Sequence, residues 1–176
     1  MTSDSMGTYP DGISDGHIRP VTGWRRTASP VGLVVFGLVV VLAFSGLLGH
    51  ERTWEAAGQA ASLEVHAPEI IRNGEFFEMR VRVTSHEPIG ALIVGIDEAL
   101  WEDMTVNTLI PAATEETNVD GETRFAFSEL AAGTTFLFKI DVQVNPDIVL
   151  GNEGSVTIYD GSDELATADL SITVLP

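Results

Sequence analysis

The chain has 176 residues and a formal net charge of −17, from 26 acidic residues against nine basic ones. It has no cysteine, which excludes disulfides, thiol nucleophiles, zinc–thiolate sites and iron–sulfur clusters together. The acidity argues against a nucleic-acid partner, whose phosphate backbone asks for basic contacts.

The charge is unevenly placed. Residues 1–50 hold Asp4, Asp11 and Asp15 against Arg19, Arg25 and Arg26, so this part is neutral. The whole −17 lies in 51–176, where 23 acids face six bases. As a solvated coat it aids solubility. One lysine against eight arginines fits a GC-rich bacterial genome, and no Asn-x-Ser/Thr sequon follows residue 50.

Residues 1–29 are rich in Gly, Ser, Thr, Asp and Pro and lack an apolar period, which predicts a disordered cytoplasmic tail. Trp24 beside Arg25 and Arg26 stands where an interfacial anchor would stand. Val31–Leu48 then runs for 18 residues without a charge, with Ser45 as its one polar residue. At about 1.5 Å per residue it rises roughly 27 Å, close to a hydrocarbon core of about 30 Å. This predicts a single transmembrane helix over 30–50, with the lipid bilayer as a partner through Val31–Leu48. A cleaved signal peptide has a shorter apolar region nearer the N-terminus, so a retained anchor is expected. Bases concentrated before the span place the tail in the cytoplasm and the acidic part outside a bacterial plasma membrane. Within the span, Ser45-x-x-x-Gly49 alone has small-residue spacing, at its very end. Residues 51–61, ERTWEAAGQAA, read as a linker, with Trp54 either at headgroup level or docked on the domain.

From 62 to 176 the pattern alternates with the strand period of two. Leu63 and Val65 oppose Glu64 and His66. Arg72-Asn73-Gly74-Glu75 is a turn. Phe77, Met79, Val81 and Val83 share a face, and Glu87-Pro88 breaks the chain. Ala91–Ile96 is apolar on both faces, as in a central strand. Met104, Val106 and Ile110 form a weaker strand before Pro111. Thr114–Gly121 reads as a polar loop ending in the Asp120-Gly121 turn signal. Phe125 and Phe127 alternate with polar or small residues. After Gly133, Phe136, Phe138, Ile140, Val142 and Val144 point inward, and Leu137, Lys139, Asp141 and Gln143 outward. A hairpin through Asp160–Asp163 joins Val156 and Ile158 to Leu170, Ile172 and Val174. Seven or eight short strands without a helix predict an antiparallel β-sandwich.

Asn73-Gly74-Glu75 before one alternating strand, and Leu130-Ala131-Ala132-Gly133 before another, resemble the immunoglobulin-like modules of bacterial cell-surface proteins. The resemblance covers roughly 61–176. It departs at Ser85-His86, where such modules often carry Asn, and lacks a tyrosine corner and the Cys–Trp–Cys set of antibody domains. The arrangement also resembles uncharacterised bacterial single-pass membrane proteins. The resemblance implies adhesion, spacing or assembly.

No catalytic, cofactor or metal site is assigned. His66 and His86 lack metal-ligand spacing and read as exposed strand-end residues. Two acidic clusters carry calcium-type oxygen ligands: Asp160, Ser162, Asp163 and Glu164 in a hairpin turn, and Glu115, Glu116, Asp120 and Glu122 with Asn118. Both read first as solvated turns. Glu98, Glu102 and Asp103 flank Trp101, a combination found at glycoside-processing sites, but short loops leave little room for a cleft. No nucleophile elbow, phosphate loop or HExxH motif is present. The sequence thus predicts a membrane-anchored, non-catalytic module that binds another membrane or envelope protein. The alternative is a calcium- or carbohydrate-binding surface module.

Overall fold

A computed structural model describes residues 24–45, 50–146 and 151–175. The chain forms two compact units, 1–45 and 46–176.

The first unit contains the helix α1, Trp24–Phe44, with Pro30 inside it. This corrects the expected membrane span and everything that rested on it. The apolar part of α1, Val31–Phe44, is 14 residues long. It rises about 21 Å, short of a hydrocarbon core of about 30 Å. The helical residues before it include Arg25, Arg26, Thr27, Ser29 and Pro30. Among the described residues no helix is long and apolar enough to cross a membrane. The transmembrane assignment over 30–50, the bilayer as partner through Val31–Leu48 and the plasma-membrane localisation are therefore withdrawn. Residues 24–29, expected in the disordered tail, belong to the helix. Residues 1–23 lie outside the described residues, as does Gly49 of the small-residue pair.

Among the described residues the second unit is a β-sandwich of eleven strands, not the seven or eight expected. They are β1 (Glu51–Ala57), β2 (Ala61–Pro68), β3 (Ile70–Arg72), β4 (Phe76–Ser85), β5 (Leu92–Asp97), β6 (Met104–Ile110), β7 (Glu115–Val119), β8 (Glu122–Ala126), β9 (Thr135–Val144), β10 (Asn152–Asp160) and β11 (Asp163–Leu175). One sheet has the order β1-β2-β4-β9-β6 and the other β3-β11-β10-β5-β8-β7. All pairings are antiparallel except that of β3 with β11. The chain passes from one sheet to the other at Pro68-Glu69, between β2 and β3.

Residues 51–57, expected as a linker, are the edge strand β1. Trp54 is buried against the domain there, with the Arg52 guanidinium 5.4 Å from its ring centre. The polar loop expected over Thr114–Gly121 is instead mostly the edge strand β7. It turns into β8 through Asp120 (φ 53°) and Gly121 (φ 82°). Two successive positive φ values suit a tight hairpin with the twist of its strands, and Asp-Gly supplies them at low cost.

The alternating strands behave as their patterns require. β2 buries Ala61, Leu63, Val65 and Ala67, and β9 buries Phe138, Ile140, Val142 and Val144. β5, apolar on both faces, lies inside its sheet between β10 and β8. The core closes where Phe125 and Phe127 of the six-stranded sheet's side meet Phe138 of β9. Ring centres there are 5.4 and 4.9 Å apart, in tilted and edge arrangements that suit the ring quadrupoles.

Candidate functional site

The outer face of the six-stranded sheet carries a constellation built on its central strands. Glu122 and Arg124 project from β8, and Tyr159 projects from β10 beside a β-bulge at Ile158/Tyr159. β5 separates β8 from β10, and Gly95 faces Arg124 on one side and Thr157 on the other. A Cβ at Gly95 would run into the Glu122 carboxylate. Glycine at this position lets the carboxylate lie across the β5 backbone to reach Tyr159.

Glu122 is only 8% exposed. Burial of a carboxylate is costly unless it is paired and hydrogen-bonded, and Glu122 is both. Arg124 Nε lies 2.5 Å from Glu122 Oε2. The Tyr159 hydroxyl donates to Oε1 at 3.0 Å and Oε2 at 3.1 Å. The Arg124 guanidinium stands 4.5 Å from the Tyr159 ring centre, and Arg124 Nη2 reaches Tyr159 Oη at 3.4 Å. Burial, and then the hydrogen bond to Glu122, push the Tyr159 hydroxyl above its ordinary pKa. The Glu122 hydrogen bond likewise raises Arg124. The three groups restrain one another's rotamers on the outer face of the sheet. Around them the face is polar: Asp97 Oδ2 accepts from Ser155 N and Oγ, both at 2.8 Å, and Thr157 pairs with Thr167 at 3.0 Å.

The outer face of the five-stranded sheet differs. Its bases are paired with acids on the exposed surface, two of them sharing Glu78. Arg80 and Lys139 each lie 3.1 Å from Glu78, Arg82 lies 3.8 Å from Glu64, and His66 Nε2 lies 2.6 Å from Glu51. Pairs this exposed contribute little to stability.

The sequence candidates fall as follows. His66 and His86 are not brought together: His66 bonds Glu51 and Thr53, while His86 follows β4 beside Ala60. In the first acidic cluster, Asp160 Oδ1 is taken up by the Gly90 and Ala91 amides at 3.0 and 2.9 Å, and Glu164 accepts from Thr167. The second cluster is divided by strand alternation, since Glu116 pairs with inward Phe125 while Glu122 points outward. Among the described residues no group of acids and histidines could hold a metal ion. The carboxylates beside Trp101 do not converge. Glu98 accepts from Asn118, and Trp101 packs edge-on against Phe125 at 5.8 Å. Sequence reasoning placed Glu122 only in an acidic cluster and missed Arg124 and Tyr159. Their outward positions follow from alternation, but the register that joins them across β5 does not.

No protein-family model matches the sequence, and no curated protein matches it. Among solved structures, the chain is similar to CaCohA2 from Clostridium acetobutylicum. The identity is 14% and the TM-score 0.45, over 66% of this chain and 92% of that one. It is also similar to a non-cellulosomal cohesin from the archaeon Archaeoglobus fulgidus. There the identity is 11% and the TM-score 0.40, over 60% of this chain and 85% of that one. A third likeness is to a chain in a crystal structure of a CaDoc0917–CaCohA2 complex. It has 12% identity and a TM-score of 0.39, over 58% of this chain and 94% of that one. At these identities and scores no function is read from the likeness.

Proposed function

We propose that the β domain is a non-catalytic protein-interaction module that docks its partner on the outer face of the six-stranded sheet. The observation that carries this reading is the Arg124–Tyr159 pair, preset against buried Glu122 on the outer face. Arginine and tyrosine are the side-chain types that dominate binding energy at protein interfaces. Their mutual restraint lowers the entropy lost on docking, since neither side chain has to be ordered by the partner. Acidic groups on the same sheet, among them Asp97, Glu153 and Asp169, favour a partner with a basic rim.

The test is site-specific photocrosslinking in native cells, with the probe at Thr167 on this face or at Arg82 on the opposite face. Thr167 is expected to give a discrete protein adduct that Arg124→Ala with Tyr159→Phe abolishes, and Arg82 is expected to give none. Equal labelling from both faces, or an adduct indifferent to the double substitution, overturns the reading.

A further inference from the structure

The two sheets are of unequal width, and the mismatch opens one side of the sandwich. The five-stranded sheet ends at β6, while the six-stranded sheet continues through β8 to β7. Every residue of β7 is exposed. The residues that β7 turns inward, Glu116 opposite Phe125 and Asn118 opposite Thr123, are polar, as befits a strand that no strand of the other sheet covers. Between β6 and β7 lies a cavity of about 440 Å³ lined by Trp101, Val106, Leu109, Glu116, Thr123 and Phe125 among others. Its volume is within the roughly 300–1,000 Å³ of binding pockets.

β6 itself is an edge strand, paired with β9 alone among the described residues. It is also apolar for an edge: Val106 is 39% exposed and Ile110 54%. Exposed edges are ordinarily blunted by charge, and β7 obeys that rule with Glu115 and Glu116. β6 carries no charge at all, and its one irregularity is a register shift between Val106 and Thr108 in its pairing with β9, which keeps Val106 and Leu109 on the inner side. A strand added to it would stand about 4.8 Å away as a sixth strand, over the uncovered inner side of β7. Its inward side chains would enter the cavity against Trp101, Val106 and Phe125 and meet Glu116. No basic side chain lines the cavity.

We propose that the free edge of β6 receives an extended segment of a partner protein by strand addition. The segment alternates apolar with polar residues, and its inward row combines an aliphatic side chain for the cavity with an arginine or lysine for Glu116. Backbone hydrogen bonds supply affinity and the alternate side chains supply specificity. This surface is separate from the Arg124–Tyr159 face, so each stands or falls alone.

The probe is a short fluorescent peptide, Thr-Ile-Thr-Ile-Thr-Arg-Thr-Arg-Thr, titrated with the full chain and followed by anisotropy. Its counterpart with glutamate in place of arginine is the control. The arginine peptide is expected to bind and the glutamate peptide to fail. Val106→Arg and Glu116→Lys are each expected to weaken binding about tenfold or more, as for loss of a buried contact or reversal of a charge. Arg82→Ala, on the exposed outer face of the five-stranded sheet, leaves binding unchanged. Hydrogen exchange on the complex shows new protection confined to β6. The proposal is overturned if the arginine peptide does not bind, if Val106→Arg and Glu116→Lys have no effect, or if protection appears elsewhere. It is equally overturned if the chain self-associates through β6, shown by a dimer that Val106→Arg dissolves.

Discussion

Tyr159 is one of two tyrosines in the chain and the only one in the sandwich. Its raised pKa makes it a reporter of folding at high pH. The unfolded hydroxyl ionises near pH 10, whereas the folded one holds its proton to higher pH. Between the two values the native state binds more protons, so stability is full below about pH 10 and falls as pH rises through the folded value. Tyr159→Phe should flatten this alkaline loss. At neutral pH it should cost about 1–3 kcal/mol, because Glu122 loses a donor while remaining buried. Urea titrations of both proteins across that range, read by circular dichroism, check it; parallel curves would show that Tyr159 does not control the alkaline limb. Phe138 is a second residue with a sharp expectation. It is fully buried between Phe125 and Phe127. Phe138→Asp places a carboxylate there without a partner, and the sandwich should not fold. A cooperative melt at the unaltered temperature would refute the core assignment. Alternation made Phe138 legible in the sequence. It did not reveal that Glu122 crosses Gly95 to meet Tyr159, because that contact depends on the register of three strands.

Eight strands were legible: seven bury one face, or in β5 both, and β6, which buries no residue fully, was marked only by its apolar residues before Pro111. The three missed strands have physical reasons in common. β7, Glu-Glu-Thr-Asn-Val, buries nothing, so it carries no apolar period. β3 has three residues. β1 buries Trp54 as its single fully enclosed side chain. An edge strand reports itself through backbone pairing, which side-chain patterning does not encode. The membrane span failed for a related reason: hydropathy measured the apolar run, but α1 ends at Phe44 and starts in polar sequence. The β1 correction has a direct consequence. A chain beginning at Glu51 should melt cooperatively, whereas one beginning at Ser62 loses β1 and the burial of Trp54. The difference should be about 3–5 kcal/mol, the usual cost of removing a buried aromatic. Thermal melts of the two chains provide the measurement, and equal midpoints would return 51–61 to the status of a linker.

At the scale of the whole domain, two sheets share a core that is left open between β6 and β7. On the β1–β11 side one of the chain's crossings between the sheets runs through Pro68-Glu69, and the backbone of Glu69 ties three segments together there. Glu69 N donates to His50 O at 2.8 Å, and Thr173 N donates to Glu69 O at 2.8 Å. The first strand therefore starts and the last strand finishes along one connecting segment at one pole of the sandwich, Glu51 opposite Pro68 and Leu175 opposite Arg72, four residues apart. The Asp160–Asp163 hairpin lies at the other pole. This geometry makes the order of strands along the chain separable from the fold. A circular permutant that joins Leu175 to Glu51 through a short glycine-serine bridge, with new ends opened at Gly161, should retain the same sandwich and the same melting transition, as close termini permit. Loss of the cooperative transition in that permutant would mean that the β10–β11 hairpin must be continuous for the sheets to assemble. If the permutant folds, the domain can also be spliced whole into a surface loop of a host protein, because both connections leave from the same pole.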